Sequence, residues 1–315
     1  MANILVVGSI NMDIVAAAPR PARPGETLAV DAVRLAPGGK GANAAVAAAR
    51  LGGHVRMIGA VGDDAFADAL MGGLRDNGVD TRWVARRPGA SGAALIAVDA
   101  GTGQNTILFG PGANAFAALP DSDEPFRWAD MVVMPLEIPL SLVLETARRA
   151  RAASKPLLLD PAPVPADLPD ELWPLCAIVS PNETELALLA PRPGLDRLEP
   201  EAYASGIASE VARAVAALRG KGARTVVAKL GRHGAYWEEE DYQTFGRPRP
   251  IRSVDATAAG DAFTGALAVA LAEGRGREEA LARALAAGTL ACTRAGAQPS
   301  LPRREEVDRW LEKTG

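Results

Sequence analysis

Apolar residues recur along the chain in two alternating rhythms. Short apolar runs closed by glycine or a polar residue have the length and β-branched content of strands buried on both faces. They occupy residues 3–8 (NILVVG), 55–62 (VRMIGAVG), 131–134 (MVVM), 156–160 (PLLLD), 177–180 (AIVS) and 225–231 (TVVAKLG). Between and after them, longer alanine- and leucine-rich stretches predict helices over 39–52, 64–78, 140–152, 183–190, 206–219, 258–273, 277–293 and 303–312. The first of these opens on glycines and closes at Gly52–Gly53. Strand and helix taking turns predict an α/β fold: a mostly parallel central sheet with helices on both faces, a three-layer sandwich.

Two regions break the rhythm. Residues 27–36 (TLAVDAVRLA) alternate apolar and polar positions, as a half-exposed strand does. Residues 92–98 and 105–109 predict two short strands around the turn DAGTGQ. Strands with no helix between them do not belong in the parallel sheet, so these predict a small β subdomain over one edge of it. The stretch 191–206, rich in Pro, Gly and charge, is expected to be an exposed insertion.

The chain has 315 residues, 48% of them hydrophobic, enough for one large α/β core. A net charge of −4 gives no electrostatic footprint for nucleic acid. No apolar run approaches the roughly 18 residues of a membrane span, and the N-terminus passes straight into a strand. Two distant cysteines, Cys176 and Cys292, form neither a disulfide framework nor a zinc pattern and suit a reducing cytoplasm. The expectation is a cytoplasmic protein that binds neither nucleic acid nor membrane.

Ligands of open α/β sheets bind beyond the carboxyl ends of the strands. Here those ends read VGSINMD, MPLEIP, SPNETE and KLGRHG, each polar or glycine-rich. PGGKGANAA at 37–45 is not a P-loop, because Gly41 stands where Ser or Thr should follow Lys40 and Arg34 replaces the first glycine. GTGQNT at 101–106 lacks the last glycine of a dinucleotide fingerprint. Gly38–Gly39 can admit a small ligand close to the backbone at a helix start, with Asn43 one turn in, or can simply form a tight turn. In DATAAGD, residues 255–261, the N–H groups of Ala258, Ala259 and Gly260 lead into a helix and lack intrahelical partners, which suits a phosphate. Asp261 there either complements the helix dipole or takes a proton from an attacking hydroxyl beside that anion hole. His54 and His233 are the only histidines and no G-x-S-x-G is present, which argues against a serine hydrolase; His54, after Gly53, reads as a turn residue.

With PGGKGANAA, SPNETE and DATAAGD in this order, the chain resembles the ribokinases of the PfkB carbohydrate kinase family. The resemblance runs from GSINMD at 8–13 to TRAGAQPS at 293–300. It implies a ribokinase-like fold: a single kinase domain over 1–315 whose β lid comes from about 12–36 and 91–110 and pairs with a second subunit in a homodimer. It implies ATP-dependent phosphorylation of D-ribose at O5, giving ribose 5-phosphate and ADP. Related kinases of deoxyribose, fructose, a keto-deoxy sugar acid or a nucleoside, and a non-catalytic binding protein on the same fold, are the alternatives. By the same resemblance Asp261 is the catalytic base and the Ala258, Ala259 and Gly260 backbone the anion hole. Asn11, Asp13, Gly39, Lys40, Asn43 and Glu137 match sugar-binding positions. Asn182, Lys229, Gly231, Gly234 and Gly260 match nucleotide-binding ones, with Lys229 either meeting a phosphate or lying at the surface. Glu185 matches the residue that holds Mg²⁺ through water. Asp255, Thr257, Ala291, Arg294, Gly296 and Ser300 match a K⁺ site built mainly from carbonyls. Ala256 departs from the family pattern, which has Thr there, and is expected to cost one hydroxyl hydrogen bond.

Overall fold

After its first residue β1 (Asn3–Val7) is wholly buried, and its side chains alternate between two cores: Ile4 and Val6 enter one, Leu5 and Val7 the other. That double burial makes it the spine of the fold. In the computed structural model, which describes residues 1–20, 22–99, 101, 105–191 and 209–312, β1 lies between β4 (His54–Val61) and β8 (Met131–Pro135). Beyond β4 lies β5 (Val79–Arg86). Beyond β8 follow β9 (Leu157–Asp160), β10 (Ile178–Val179), β11 (Thr225–Lys229), β12 (Ala235–Glu239) and β13 (Tyr242–Gly246). The order is β13-β12-β11-β10-β9-β8-β1-β4-β5, parallel from β11 to β5, with β12 and β13 added as an antiparallel hairpin.

Helices cover both faces. Helices α1 (Lys40–Arg50), α2 (Ala65–Asp76), α7 (Ala259–Ala272), α8 (Arg277–Ala291) and α9 (Arg304–Glu312) close over the Ile4 side. The other side is covered by α3 (Glu124–Trp128), α4 (Leu140–Ala152), α5 (Glu183–Leu189) and α6 (Ser209–Gly220). The three layers therefore stand as the periodicity predicts. β5, β12 and β13 did not stand out in the sequence, because mixed runs such as VDTRWVAR and AYWEE carry no clean rhythm. No helix among the described residues is long and apolar enough to cross a membrane.

A second sheet has the order β3-β2-β6-β7, from β2 (Asn11–Ala18), β3 (Val33–Gly38), β6 (Gly92–Asp99) and β7 (Asn105–Gly110). The strand expected over 27–36 begins only at Val33; residues 27–32 form no ladder, so their alternation reflects exposure rather than pairing. Most of the expected turn at 99–104 and most of the expected insertion at 191–206 lie outside the described residues. Because side chains alternate along a strand, Asn11 and Asp13 face one side of β2 while Met12 and Ile14 face the other. In register with Ile14 stand Leu35, Leu95 and Leu108, which are 57%, 50% and 66% exposed, so an apolar row crosses four strands and meets solvent.

The crossing of α1 and α7 sets the spacing on the Ile4 side. A Cβ on Gly265 would lie 2.7 Å from the Ala47 Cβ and 2.9 Å from the Ala48 nitrogen, so the two backbones touch without a side chain between them. Gly265→Val should therefore force the helices apart and cost about 1–3 kcal/mol of overpacking. Urea unfolding at neutral pH checks this; a loss within 0.5 kcal/mol would mean that the crossing yields freely.

Candidate active site

The sheet changes direction at β1: β4 and β5 continue on one side, β8 and its successors on the other. A crevice opens beyond the carboxyl ends at such a point. Ser9 and Asn11, after β1, and Glu137, after β8, meet across it. The Ser9 hydroxyl donates to Glu137 Oε2 at 2.5 Å, the Asn11 amide at 3.3 Å and the Lys40 backbone N–H at 3.1 Å. Glu137 thus holds the first turn of α1 against both strand ends. Gly39 enters that turn at φ 90°, where a Cβ would also lie 2.8 Å from the Asn11 nitrogen. Gly38 leaves the space that the Asp13 carboxylate fills: a Cβ there would sit 2.1 Å from Asp13 Oδ2.

Asp261 stands in the first turn of α7, buried, with its Oδ2 accepting from the Asn43 amide of α1 at 2.8 Å. The helix has no side-chain cap, so the Gly260 and Asp261 N–H groups lie where no intrahelical acceptor exists. Ala258, at the cap, adopts φ 59°, a left-handed conformation that ordinarily falls to glycine. It turns the chain sharply enough to bring the helix start to the crevice. Lys229, at the end of β11, is buried and points its ammonium at Asp160 Oδ2, 2.8 Å away, and toward Gly260. That overturns the surface reading of Lys229. Thr264 of α7 donates to the same Asp160 oxygen at 2.7 Å, while Asp160 Oδ1 is buried with no partner.

Sequence reasoning missed Asp160, Ser9, Asn114 and Thr264. Asp160 was the most accessible: PLLLD ends a strand in a carboxylate on the same rim as the other polar strand ends. His54 is not a turn residue but the exposed first residue of β4.

The nucleotide-matching residues gather on a cleft of about 640 Å³. Lys229, Gly231, Gly234 and Gly260 line it, with Ile251 and Phe263 among its apolar walls. Asn182 lies beside Lys229 through a backbone bridge. It forms a capping box with Glu185: the Glu185 N–H donates to Asn182 Oδ1 at 2.8 Å, and the Asn182 N–H and amide donate back to the Glu185 carboxylate at 2.8 and 2.7 Å. Before α7 and after α8, Asp255 ties two loops together. Its carboxylate accepts from the Thr257 N–H and hydroxyl at 2.8 and 2.6 Å and from the Gly296 N–H at 2.8 Å. The Arg294 guanidinium turns away to Glu306, the Ala291 carbonyl takes the Arg294 N–H, and the Ser300 hydroxyl donates to the Ala297 carbonyl.

Charge is unevenly matched here. Lys40 stays firmly protonated: burial opposes its charge, but Asp261, Asp160, Glu137 and Glu185 outweigh it. Burial also opposes ionisation of Asp160, yet Lys229 and Lys40 hold its carboxyl below the usual range. Burial raises Glu185, with Lys229 offsetting part of the effect. Burial, offset in part by Lys40, raises Asp261 to about 6. Burial, then the charges of Glu137 and Asp261, raises Asp13 to about 7.

Two predictions follow from these pairings. Lys229→Met should cost about 3–5 kcal/mol by stranding the buried Asp160 charge. Adding Asp160→Asn should return most of it; chemical denaturation of both variants tests the coupling, and equal losses would show that no pairing energy exists. For Asp13 and Asp261 the folded pKa lies above the unfolded value of 3.8, so the native state favours the protonated form. Both are harmless below about pH 4, and their penalty grows as pH rises to about 6–7, reaching on the order of 3 kcal/mol for Asp261 and about 4 kcal/mol for Asp13. Asp13→Asn and Asp261→Asn should therefore raise the unfolding free energy near pH 8 and leave it unchanged near pH 4. A gain of equal size at both pH values would refute the burial penalty.

Residues 1–304 match the model of the pfkB family carbohydrate kinases. The chain is 34% identical over 313 residues to a ribokinase of Haemophilus influenzae, covering 98% of each sequence. It is 32% identical over 313 residues to a deoxyribokinase of Salmonella typhimurium, again covering 98% of both. Its fold superposes on the structure of Arabidopsis thaliana ribokinase complexed with ribose and ATP with a TM-score of 0.87, at 34% identity and 99% coverage of each chain. A family match across almost the whole length and a fold that superposes closely on such a structure give one conclusion: the chain belongs to the PfkB family of carbohydrate kinases.

Proposed function

We propose that the protein phosphorylates D-ribose at O5 with ATP, giving ribose 5-phosphate and ADP. The observation that carries the reading is the buried Asp261 carboxylate, bonded to Asn43 and set beside the unpartnered N–H groups that open α7. In this reading Asp261 accepts the proton of the attacking sugar hydroxyl. The N–H groups of Gly260 and Asp261, with the Ala258 and Ala259 backbone shaping their approach, stabilise the transferred phosphoryl group. Asn11, Asp13 and Asn43 offer the mixed donors and acceptors that sugar hydroxyls need, framed by Gly39, Lys40 and Glu137. The cleft beside Lys229, Gly231 and Gly234 takes the nucleotide, its apolar walls suiting a base and its Lys229 end the phosphates.

Mg²⁺ would accompany the ATP. The oxygens that suit it are those of Glu185 and the buried, unpartnered Asp160 Oδ1, an acceptor set of the hard kind this cation prefers to meet through water. It would neutralise phosphate charge. The Asp255-tied loops fit a K⁺ site, since that carboxylate fixes the backbone of Thr257 and Gly296 while the Arg294 guanidinium is engaged elsewhere. In this reading the carbonyls of Asp255, Thr257, Arg294 and Gly296 and the Ser300 position come from these loops, and the Ala291 carbonyl, which also takes the Arg294 N–H, from the end of α8. The second sheet acts as the lid, and its apolar row pairs with the same sheet of a second copy. Two free cysteines and the use of ATP suit the cytoplasm.

A 2-deoxyribose kinase is the second reading, favoured by the deoxyribokinase relative at almost the same identity. An ADP-release assay over ribose, 2-deoxyribose, fructose and adenosine, with and without K⁺, decides between them. Ribose is expected to have the highest kcat/KM and K⁺ to raise the rate; 2-deoxyribose in first place would hand the assignment to the second reading. With the folded pKa of Asp261 at about 6 in the free protein, kcat/KM should fall tenfold per pH unit below that value and level off above it. Asp261→Asn should lose at least about a hundredfold in kcat. Retention of most of the rate would remove Asp261 from the chemistry.

A further inference from the structure

Asn114 lies in a short 3-10 turn, Gly112–Phe116, that follows β7, more than a hundred residues from the crevice in sequence. It is fully buried, and both polar atoms of its side chain meet the junction of β1 and β2. The Ile10 backbone N–H donates to Asn114 Oδ1 at 2.9 Å. The Asn114 amide donates to the Ile10 carbonyl at 3.3 Å and to Asn11 Oδ1 at 2.8 Å. The space it occupies is kept open by Gly92, where a Cβ would come within 2.1 Å of Asn114 Nδ2 and 2.3 Å of Asn11 Oδ1.

These contacts leave no freedom in the orientation of two amides. A backbone N–H can only donate, so the Asn114 atom facing Ile10 N–H must be its oxygen. Its amide nitrogen then faces Asn11, and a donor there demands the Asn11 oxygen. The Asn11 amide nitrogen is thereby turned toward Glu137 and the crevice, where it donates to Glu137 Oε2 at 3.3 Å. Without Asn114 the two ends of the Asn11 side chain would be interchangeable, because Glu137 alone constrains it only weakly at that distance. The turn itself is fastened: the Ala113 N–H donates to the Ala90 carbonyl at 2.9 Å and the Asn114 N–H to the Pro111 carbonyl at 3.0 Å.

We infer that Asn114 is a positioning residue that fixes the Asn11 amide with its N–H₂ toward the sugar, making a donor at that point in the crevice obligatory. The inference rests on the reading of Asn11 as a sugar contact. It also makes the end of β7, a strand of the second sheet, part of the support of the sugar site. Asn114→Asp keeps the shape but replaces the donor by an acceptor. Asn11 must then flip to donate to residue 114, presenting oxygen to the Glu137 carboxylate and to the sugar.

The experiment is steady-state kinetics of Asn114→Asp, Asn114→Ser, Asn11→Ala and the Asn11→Ala/Asn114→Asp double variant, with thermal unfolding of each. Asn114→Asp should raise KM for ribose by at least about tenfold, leaving kcat within about threefold and KM for ATP unchanged. The double variant should match Asn11→Ala alone, since no amide remains to be oriented. If Asn114→Asp does not fold, the milder Asn114→Ser, which cannot span to Asn11, carries the same expectation. Equal rises in both KM values, or penalties that multiply in the double variant, would overturn the positioning role. If Asn11→Ala raises KM for ribose while neither residue-114 variant does, this inference fails alone. If Asn11→Ala leaves it unchanged, the reading of Asn11 as a sugar contact fails.

Discussion

Two helices start at the crevice because they can touch without side chains between them. The contact of Gly265 with Ala47 and Ala48 sets α1 against α7 backbone to backbone. One turn before that contact, the same approach brings Asn43 within 2.8 Å of Asp261. A bulky residue at the crossing would tilt one helix against the other and break this bond first, since the helix starts move most when the crossing widens. Both N-termini then carry their partial positive charge to one place. That charge is held by the backbone and cannot be titrated away or rotated out, unlike a lysine. Small residues along α7 are therefore the condition for the electrostatics of the site, and the high alanine content of both helices follows from it.

The same place collects more carboxylates than cations. Asp13, Glu137, Asp160, Glu185 and Asp261 face Lys40 and Lys229. Asp160 takes the largest share of this cation field, bonding Lys229 directly and feeling Lys40 as well. The burial of Asp261 is offset only in part, by Lys40 first, and that of Asp13 not at all, since Glu137 and Asp261 raise it further. One environment thus divides similar side chains into a permanently charged anchor and groups that take up a proton near neutrality. For a residue proposed to receive a proton from a hydroxyl, a raised pKa is an asset, and the accompanying loss of native stability is its cost. The uneven matching of charge also explains why an ATP polyphosphate would need the N–H groups of α7 as well as the lysines.

The order of strands and helices was legible because double burial and one-sided burial leave different periodicities. The rim residues were legible too, since each closes an apolar run. What failed to show was long-range. Asp160 looked like the ordinary end of a strand, and only the approach of Lys229, from β11, and Thr264, from α7, gives it a role. Lys229 looked as well suited to solvent as to a phosphate, because burial of a lysine depends on a partner far away in sequence. Asn114 sits in a loop whose composition says only that the chain turns. The left-handed Ala258 is invisible to any propensity argument, which would put glycine there. Residues 27–32 misled in the opposite direction: alternation predicts a strand only where a neighbour is within reach to pair with it.

The second sheet shows how period two lets one strand serve two purposes. On β2, Asn11 and Asp13 face the crevice, while Ile14 joins the exposed row of Leu35, Leu95 and Leu108 on the opposite face. A slip of one residue in the pairing of β2 with β6 would exchange the faces and carry Asp13 away from the site. The register is therefore under constraint from both sides, and Asn114, bonded to Ile10 and Asn11 at the very start of β2, acts as its pin. Burying the apolar row against a second copy would stiffen the strands without touching the crevice. Its effect would reach the sugar through the start of β2, where Gly92 and Asn114 leave Asn11 only one orientation. The proposed pairing of the sheet and the proposed sugar site would be two uses of a single register.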